Sequence, residues 1–531
     1  MKDPVLSLIP YPNQLTLTGD YFQWSAAVLL SARQDFKPEL DLFISQLPRA
    51  VRPTWTELNK EESAISIQVF QNEYEIDGYQ LKIEPDRITI SADSNSGVFY
   101  ALQSFQQLIS AAYLQTGSSQ LDIPCLVIHD QPRFQWRGFM LDEARHFQGK
   151  ETVLLLLDWM AQLKMNVFHW HLRDDQGWRI EIKSHPQLTE VGSVRTATQS
   201  GGFLSRKVVP GIHQGFYTQE DIQQIVQYAS ERYITIVPEF DLPGHSSAIL
   251  AAYPNLGCTG GPYQVKTRWG IHKDILCAGN PDTLPFLEFV FTEVLDLFPG
   301  QYIHIGGDEA PKACWRSCPK CRALAEQSGF KDVEPLQTLM SNQISRFLQQ
   351  HGRSMMGWNE LIDEDLDPQI AIQFWRGDKK ALLSQFRRGR KTVLSNFEAY
   401  YLDHAYVHSP LEKVYRFEAV PHELEKQFHN NVLGIEAPLW TEFVPNRAQL
   451  DWQVFPRLLA VAESAWTNPG LKDYRQFLIR LQPHLEKMEQ AGIGYAGLEA
   501  ADPGRFKRLG GLLSLFQEGK GVREGLADRN L

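Results

Sequence analysis

From Trp136 onward, short apolar runs alternate with amphipathic stretches, and the alternation repeats eight times, which leaves few folds open. The runs are GFMLDEA (138–144), NVFHWHL (166–172), TIVPEFD (235–241), YIHIGGD (302–308), SMMGWNE (354–360), IQFWRG (372–377), TVLSNF (392–397) and VLGIEAPLW (432–440). Helical spacing fills the intervals, as in 151–164, 218–233, 283–298, 335–350 and 379–389, and Thr218 with Asp221 three residues on reads as a capped helix start. Eight strands separated by helices predict a (β/α)8 barrel, the TIM barrel of the α/β class, over residues 133–480. An open doubly wound sheet is the competitor. It is disfavoured because no Gly-rich phosphate loop follows the first strand.

Ahead of the barrel, residues 1–132 read as a small α/β domain. SAISIQVF and YQLKIEPDRITIS alternate as strands, SGVFYALQSFQQLIS is helical, and IPCLVIHD is a last strand before the break at DQPRFQWRG. Residues 481–531 are expected to form a helical or polar extension that frays. With 43% hydrophobic and 22% charged residues the 531-residue chain can bury a sizeable core, and no run approaches the roughly 18 apolar residues of a membrane span. A net charge of −11 without basic blocks argues against a nucleic-acid partner. The opening MKDPVLSLIPYPNQL has prolines where a secretory leader needs a continuous apolar region. The compartment expected is therefore the cytoplasm for a complete chain, and the periplasm or exterior for one trimmed of its leader. Six cysteines are too few for a disulfide scaffold, and Cys314, Cys318 and Cys321 lack a second paired set nearby, so inert packing thiols are expected rather than a structural zinc.

In a barrel of this kind the chemistry sits at the C-terminal ends of the strands. Those ends are crowded with acids, histidines and tryptophans: Asp142, Glu143, Arg145 and His146; His169, His171, Asp174 and Asp175; Glu239, Asp241 and His245; His304, Asp308 and Glu309; and later Trp358, Asn359, Glu360, Trp375, Arg376, Tyr401, Asp403, Trp440 and Glu442. Carboxylates and a guanidinium that bind hydroxyls, interleaved with aromatic faces that stack on a pyranose ring, suit a carbohydrate. The adjacent acids Asp308 and Glu309 are unusual. Most glycosidases set two carboxyls about 5 to 9 Å apart across the scissile bond. Neighbours suit another division of labour, in which Glu309 protonates the glycosidic oxygen and Asp308 orients a 2-acetamido group whose carbonyl oxygen attacks the anomeric carbon. Gly306 and Gly307 let the backbone turn tightly beside the sugar.

HIGGDEAP, RGFMLDEARHF, NVFHWHLRDDQGWRIEI and PEFDLPGH together resemble the β-N-acetylhexosaminidases of glycoside hydrolase family 20. The resemblance runs from about Trp136 to Trp466, and more weakly through the N-terminal domain. It implies retaining, exo-acting removal of terminal β-linked GlcNAc, and possibly GalNAc, through an oxazolinium intermediate, without metal or cofactor. On that footing Glu309 is the general acid/base and Asp308 positions the acetamido group. Tyr401 bonds the acetamido oxygen, and Trp358, Trp375 and Trp440 wall in its methyl. Arg145, Asp403 and Glu442 hold sugar hydroxyls, while Asp174, His245 and His304 orient the catalytic pair from behind. The implied partner is a glycan or chitooligosaccharide with a terminal N-acetylhexosamine.

Two rival readings stay open on sequence. HWH at a strand end has the form of a metal pair, as in a metal-dependent amidohydrolase, although none of the later ends GWNE, FWRG and LSNF supplies a histidine. A sugar-binding protein without catalysis is the other, but it has no use for a general acid.

Overall fold

Eight parallel strands close into a barrel in the computed structural model, which describes residues 6–32, 36–57, 65–69, 77–202 and 205–504. They are Trp136–Asp142, Val167–His171, Thr235–Glu239, Tyr302–His304, Ser354–Trp358, Ala371–Phe374, Thr392–Leu394 and Val432–Leu439. These fall within the eight predicted runs, extending the first back to Trp136 and the sixth back to Ala371. The last strand pairs with the first through Gly434 opposite Trp136, which removes both sheet edges. Every residue of the first strand is buried, because helices cover one face and the barrel interior the other. The helix Gln219–Ser230 starts at the expected box, with Thr218 Oγ1 accepting from the Asp221 N–H (3.1 Å) and the Asp221 carboxylate accepting from the Thr218 N–H (3.3 Å).

The barrel interior is layered. At the bottom Trp136, Val167, Val237, Met356, Ala371 and Val393 pack together. Two residues further along several of these strands the layer becomes polar, with His169, Glu239, Gln373 and Glu436 all fully buried. Glu436 accepts from Trp136 Nε1 (2.9 Å), His169 Nδ1 (2.8 Å) and Gln373 Nε2 (2.7 Å). A Cβ on Gly138 would lie 2.5 Å from Glu436 Oε2, so this layer has room for the carboxylate only because the first strand carries glycine there. Above it sit Met140, Trp358, Trp375 and Tyr401, with Trp440 against them.

The N-terminal domain is a seven-stranded mixed sheet in the order Gln14–Ser25, Gln120–Asp130, Tyr79–Ile83, Ile88–Ala92, Ile65–Val69, Leu29–Ala32, Thr54–Glu57. The helix Asn95–Thr116 packs on it, and Asp130 joins it to the barrel by accepting from Tyr79 Oη (2.8 Å), Lys164 Nζ (3.2 Å) and Trp466 Nε1 (2.9 Å). The boundary placed at residue 481 falls inside a helix, Tyr474–Gln490, rather than at the start of a frayed tail. Arg480 grips Glu463 with two bonds of 2.7 Å and donates to the Leu8 carbonyl (2.6 Å), and His484 Nε2 bonds the Ser7 carbonyl (2.7 Å). This helix therefore ties the start of the chain to the barrel. Of the expected extension, residues 505–531 lie outside the described residues. Among the described residues no helix is long and apolar enough to cross a membrane.

Candidate active site

The fourth barrel strand ends in a turn that only glycine can make. Gly306 (φ +61°) and Gly307 (φ +100°) are left-handed, and a Cβ on Gly306 would stand 2.1 Å from Asp241 Oδ1. That oxygen accepts from the Gly307 N–H (2.9 Å), while His304 Nδ1 accepts from the Gly306 N–H (3.0 Å). Glu309 itself has φ +46°, a costly conformation for a residue with a side chain, and one that the surrounding bonds enforce. The result is that Asp308 and Glu309 face the same pocket.

His245 stands between two pairs of acids. Its Nε2 lies 4.0 Å from Asp308 Oδ2 and 3.8 Å from Glu309 Oε2, and its Nδ1 lies 3.1 Å from Asp174 Oδ1 and 3.3 Å from Asp175 Oδ2. Burial opposes charge on the ring, but Asp174 and then Asp241 outweigh it and hold His245 well above the usual imidazole range. Asp174 is likewise buried, yet Arg145 and His245 hold its carboxyl well below the usual carboxylate range. Its Oδ2 takes both Arg145 Nη2 (2.7 Å) and His171 Nε2 (3.1 Å). Asp175 instead accepts from the Ser247 N–H (2.9 Å) and belongs to the loop's own framework. Asp308 is shifted the other way. Burial, reinforced by Asp241, pushes it well above the ordinary carboxylate range.

Beneath the pair lies a buried polar network centred on Glu239, in which His304 Nε2 has no hydrogen-bond partner among the described residues. His171 Nδ1 (2.6 Å) and His169 Nε2 (3.1 Å) meet its Oε2, and Trp358 Nε1 (2.8 Å) and His304 Nδ1 (3.2 Å) meet its Oε1. All four ring nitrogens of HWH thus lie within 3.1 Å of a carboxylate oxygen. Burial resists charging these rings, but Glu436 raises His169 to about 9 and Glu239 raises His171 to about 10. Both values exceed the unfolded value of about 6.5, so their stabilisation is complete below that pH and is lost as pH rises through 9 to 10. Thermal melts from pH 7 to 10 are expected to show a loss of several degrees that His171→Gln reduces, leaving the share carried by His169. An equal slope in the variant would remove His171 from the cause.

The pocket has a volume of about 350 Å³ and is lined by Arg145, His245, Asp308, Glu309, Trp358, Trp375, Tyr401, Asp403, Trp440 and Glu442, ten of the twelve residues singled out from sequence. Asp174 and His304 lie behind it, fully buried. Trp358 and Trp440 stand 6.0 Å apart between ring centroids, and Trp375 stacks on Tyr401 at 5.7 Å. Trp375 is fixed by Nε1 donation to Glu360 (3.0 Å) and by Asn359 Oδ1 at its backbone N–H (3.0 Å). Arg145 sits over the Trp440 ring at 4.9 Å. Asp403 and Glu442 share the opposite wall, where burial, with Glu442 adding to it, lifts Asp403 to about 8. The pocket is small, near the lower end of the range of about 300 to 1,000 Å³ for small-ligand sites, and it matches a single sugar ring better than a chain of them.

Residues 134–469 match the family described as Glycosyl hydrolase family 20, catalytic domain, and residues 5–131 match its domain 2. The chain belongs to glycosyl hydrolase family 20. A β-hexosaminidase of Porphyromonas gingivalis is 36% identical over 93% of this chain, which spans 64% of that relative's length. A β-N-acetylhexosaminidase of Cellulomonas fimi is 31% identical over 92% of this chain and 96% of its own. Among solved structures, the family 20 exo-β-N-acetylglucosaminidase of Vibrio harveyi in complex with N-acetylglucosamine superposes with a TM-score of 0.83, at 31% identity over 93% of this chain and 79% of that one. The β-N-acetylhexosaminidase of Bacteroides fragilis gives 0.79 at 32% identity over 92% and 96%. As a family 20 glycosyl hydrolase, the chain is an enzyme that cleaves glycosidic bonds.

Several residues of this family 20 site were visible at strand ends but given no role. Glu239 and Asp241 are the anchors of the Trp358 wall and of the glycine turn. Arg376, with one guanidinium nitrogen 3.8 Å from Glu309 Oε1, and the rim residues Phe397, His404 and Phe443 join the pocket through loops. The period-two rule along each strand was the available signal for Glu239, since its parity points inward with Val237.

Proposed function

We propose that the chain is an exo-acting β-N-acetylhexosaminidase that removes a terminal, non-reducing β-linked GlcNAc by retaining, substrate-assisted catalysis. One observation carries the reading. Asp308 Oδ1 is buried without a hydrogen-bond partner among the described residues and lines the same pocket as the Trp358, Trp375, Trp440 and Tyr401 cage. A buried acceptor beside an apolar box fits an acetamido group, its N–H on the acid and its methyl among the rings. The tyrosine hydroxyl then serves the acetamido oxygen, and Arg145, Asp403 and Glu442 take the hydroxyls.

In the first step Glu309 gives its proton to the glycosidic oxygen as the bond from that oxygen to C1 breaks. The acetamido carbonyl oxygen forms the new bond to C1, and the positive charge spreads over the resulting oxazolinium. Asp308 meets that charge as a carboxylate. Its buried seat holds few partners for a lone anion, so its attraction to the forming cation is larger in the transition state than in the ground state. Glu309 then takes a proton from water, the water oxygen bonds C1, and the C1–O bond of the oxazoline opens to restore the acetamide with the β configuration.

A proton NMR time course on chitotriose is expected to show GlcNAc appearing first as the β-anomer, one residue at a time. An initial α-anomer, or a new β-anomeric reducing end that appears on the disaccharide product rather than on the monosaccharide, contradicts this reading.

A further inference from the structure

The four thiols of Cys258, Cys277, Cys318 and Cys321 converge on one point in the fold, although they come from two separate loops. Cys258 and Cys277 lie in the loop that follows the third barrel strand and carries His245. Cys318 and Cys321 form a C-x2-C turn nine residues beyond Glu309. Cys314, grouped with them on sequence spacing, points elsewhere, with its Sγ 3.9 Å from Asp274 Oδ1. The sulfur separations are 3.9 Å for Cys258 to Cys321, 3.8 Å for Cys277 to Cys318 and 3.5 Å for Cys277 to Cys321, and all four sulfurs fall within 4.8 Å of one another. Four sulfurs at the zinc–thiolate bond length of about 2.3 Å around a tetrahedral ion stand about 3.8 Å apart.

We infer that these four cysteines form a structural Zn2+ site that pins the His245 loop to the loop carrying Asp308 and Glu309. Three features beyond the spacing fit a closed thiolate site. The Gly279 N–H donates to Cys321 Sγ (3.4 Å), the kind of outer bond that fixes a metal-bound sulfur. A Cβ on Gly279 would stand 2.2 Å from the Lys320 carbonyl carbon, so the two loops meet backbone to backbone at the site. Cys318 and Cys321 sit at the N-terminal end of the helix Pro319–Gln327, where peptide dipoles favour anionic sulfur. Around them is a small core of its own, with Ile275, Trp315, Ala325, Val333 and Leu336, separate from the main hydrophobic core. A cluster of that size holds two long loops together weakly without a cross-link.

Binding displaces thiol protons to solvent, so zinc affinity weakens as pH falls. Its mechanical consequence reaches the catalytic turn by a short route. Trp315 Nε1 donates to the Leu276 carbonyl (2.8 Å), and the Leu276 N–H donates to the Pro243 carbonyl, two residues before His245 (3.1 Å).

The test is elemental analysis of the full chain, expressed with zinc in the medium and dialysed against EDTA at neutral pH, followed by titration with a mercurial in the presence of a zinc dye. About one zinc per chain is expected, released in step with modification of four thiols, and retained by Cys314→Ser but lost from Cys318→Ser. Cobalt substitution is expected to give the intense visible bands of a tetrahedral thiolate complex. Substoichiometric metal in the unmutated protein, iron in place of zinc, or a disulfide between any two of the four would each overturn the assignment, and none of these depends on whether a variant folds.

Discussion

Glu309→Gln is expected to lower kcat/KM on chitobiose by about 10²- to 10⁴-fold, the range for loss of a positioned acid/base group. The leaving sugar alkoxide needs a proton, and Arg376, 3.8 Å from Glu309, is a permanent cation that does not deliver one. An aryl substrate whose phenolate leaves unaided should be cleaved in the first step at a rate much closer to normal, with the deficit moving to hydrolysis of the intermediate. That split is the informative readout. A uniform loss on both substrates, with unchanged product burst, would assign Glu309 to structure, for which its left-handed backbone offers a ready cause.

Asp308→Asn is expected to lower kcat by about 10²- to 10³-fold, equivalent to roughly 3 to 4 kcal/mol, with little change in KM. The amide keeps the shape and can still hydrogen-bond the acetamido group, so binding survives. It carries no charge, so the oxazolinium loses its counterion in a buried seat where solvent cannot replace it. The expected split of kcat from KM separates this role from simple binding. A proportional rise in KM with kcat intact would place Asp308 among the groups that only hold the sugar.

The barrel was legible because strand length and parity survive even in short elements: Tyr302–His304 spans three residues, yet its apolar pattern and the glycines after it marked it. The pair Asp308 and Glu309 was legible for a chemical reason, since adjacent acids serve few two-carboxylate geometries. What stayed hidden depends on contacts between distant loops. Cys258 and Cys321 are 63 positions apart, and neither spacing nor composition announces that the third and fourth loops close on each other. Glu239 and Trp358 are 119 apart, so the acid that aims the tryptophan is readable only from the barrel register. The boundary expected at 481 lies inside the helix Tyr474–Gln490. The polar residues there suggest the end of a domain, whereas Arg480 and His484 are buried because they satisfy the carbonyls of Leu8 and Ser7, which no local pattern reveals.

The central claim is that the substrate supplies the nucleophile from its acetamido group. The direct measurement compares hydrolysis of aryl β-N-acetylglucosaminide and aryl β-glucoside by the same protein, with a thiazoline mimic of the oxazoline as inhibitor. Cleavage confined to the acetamido sugar, with tight inhibition by the thiazoline that Asp308→Asn weakens, is the result predicted. Comparable cleavage of the glucoside, with no inhibition by the thiazoline, would mean that the protein carries its own nucleophile and would contradict the account.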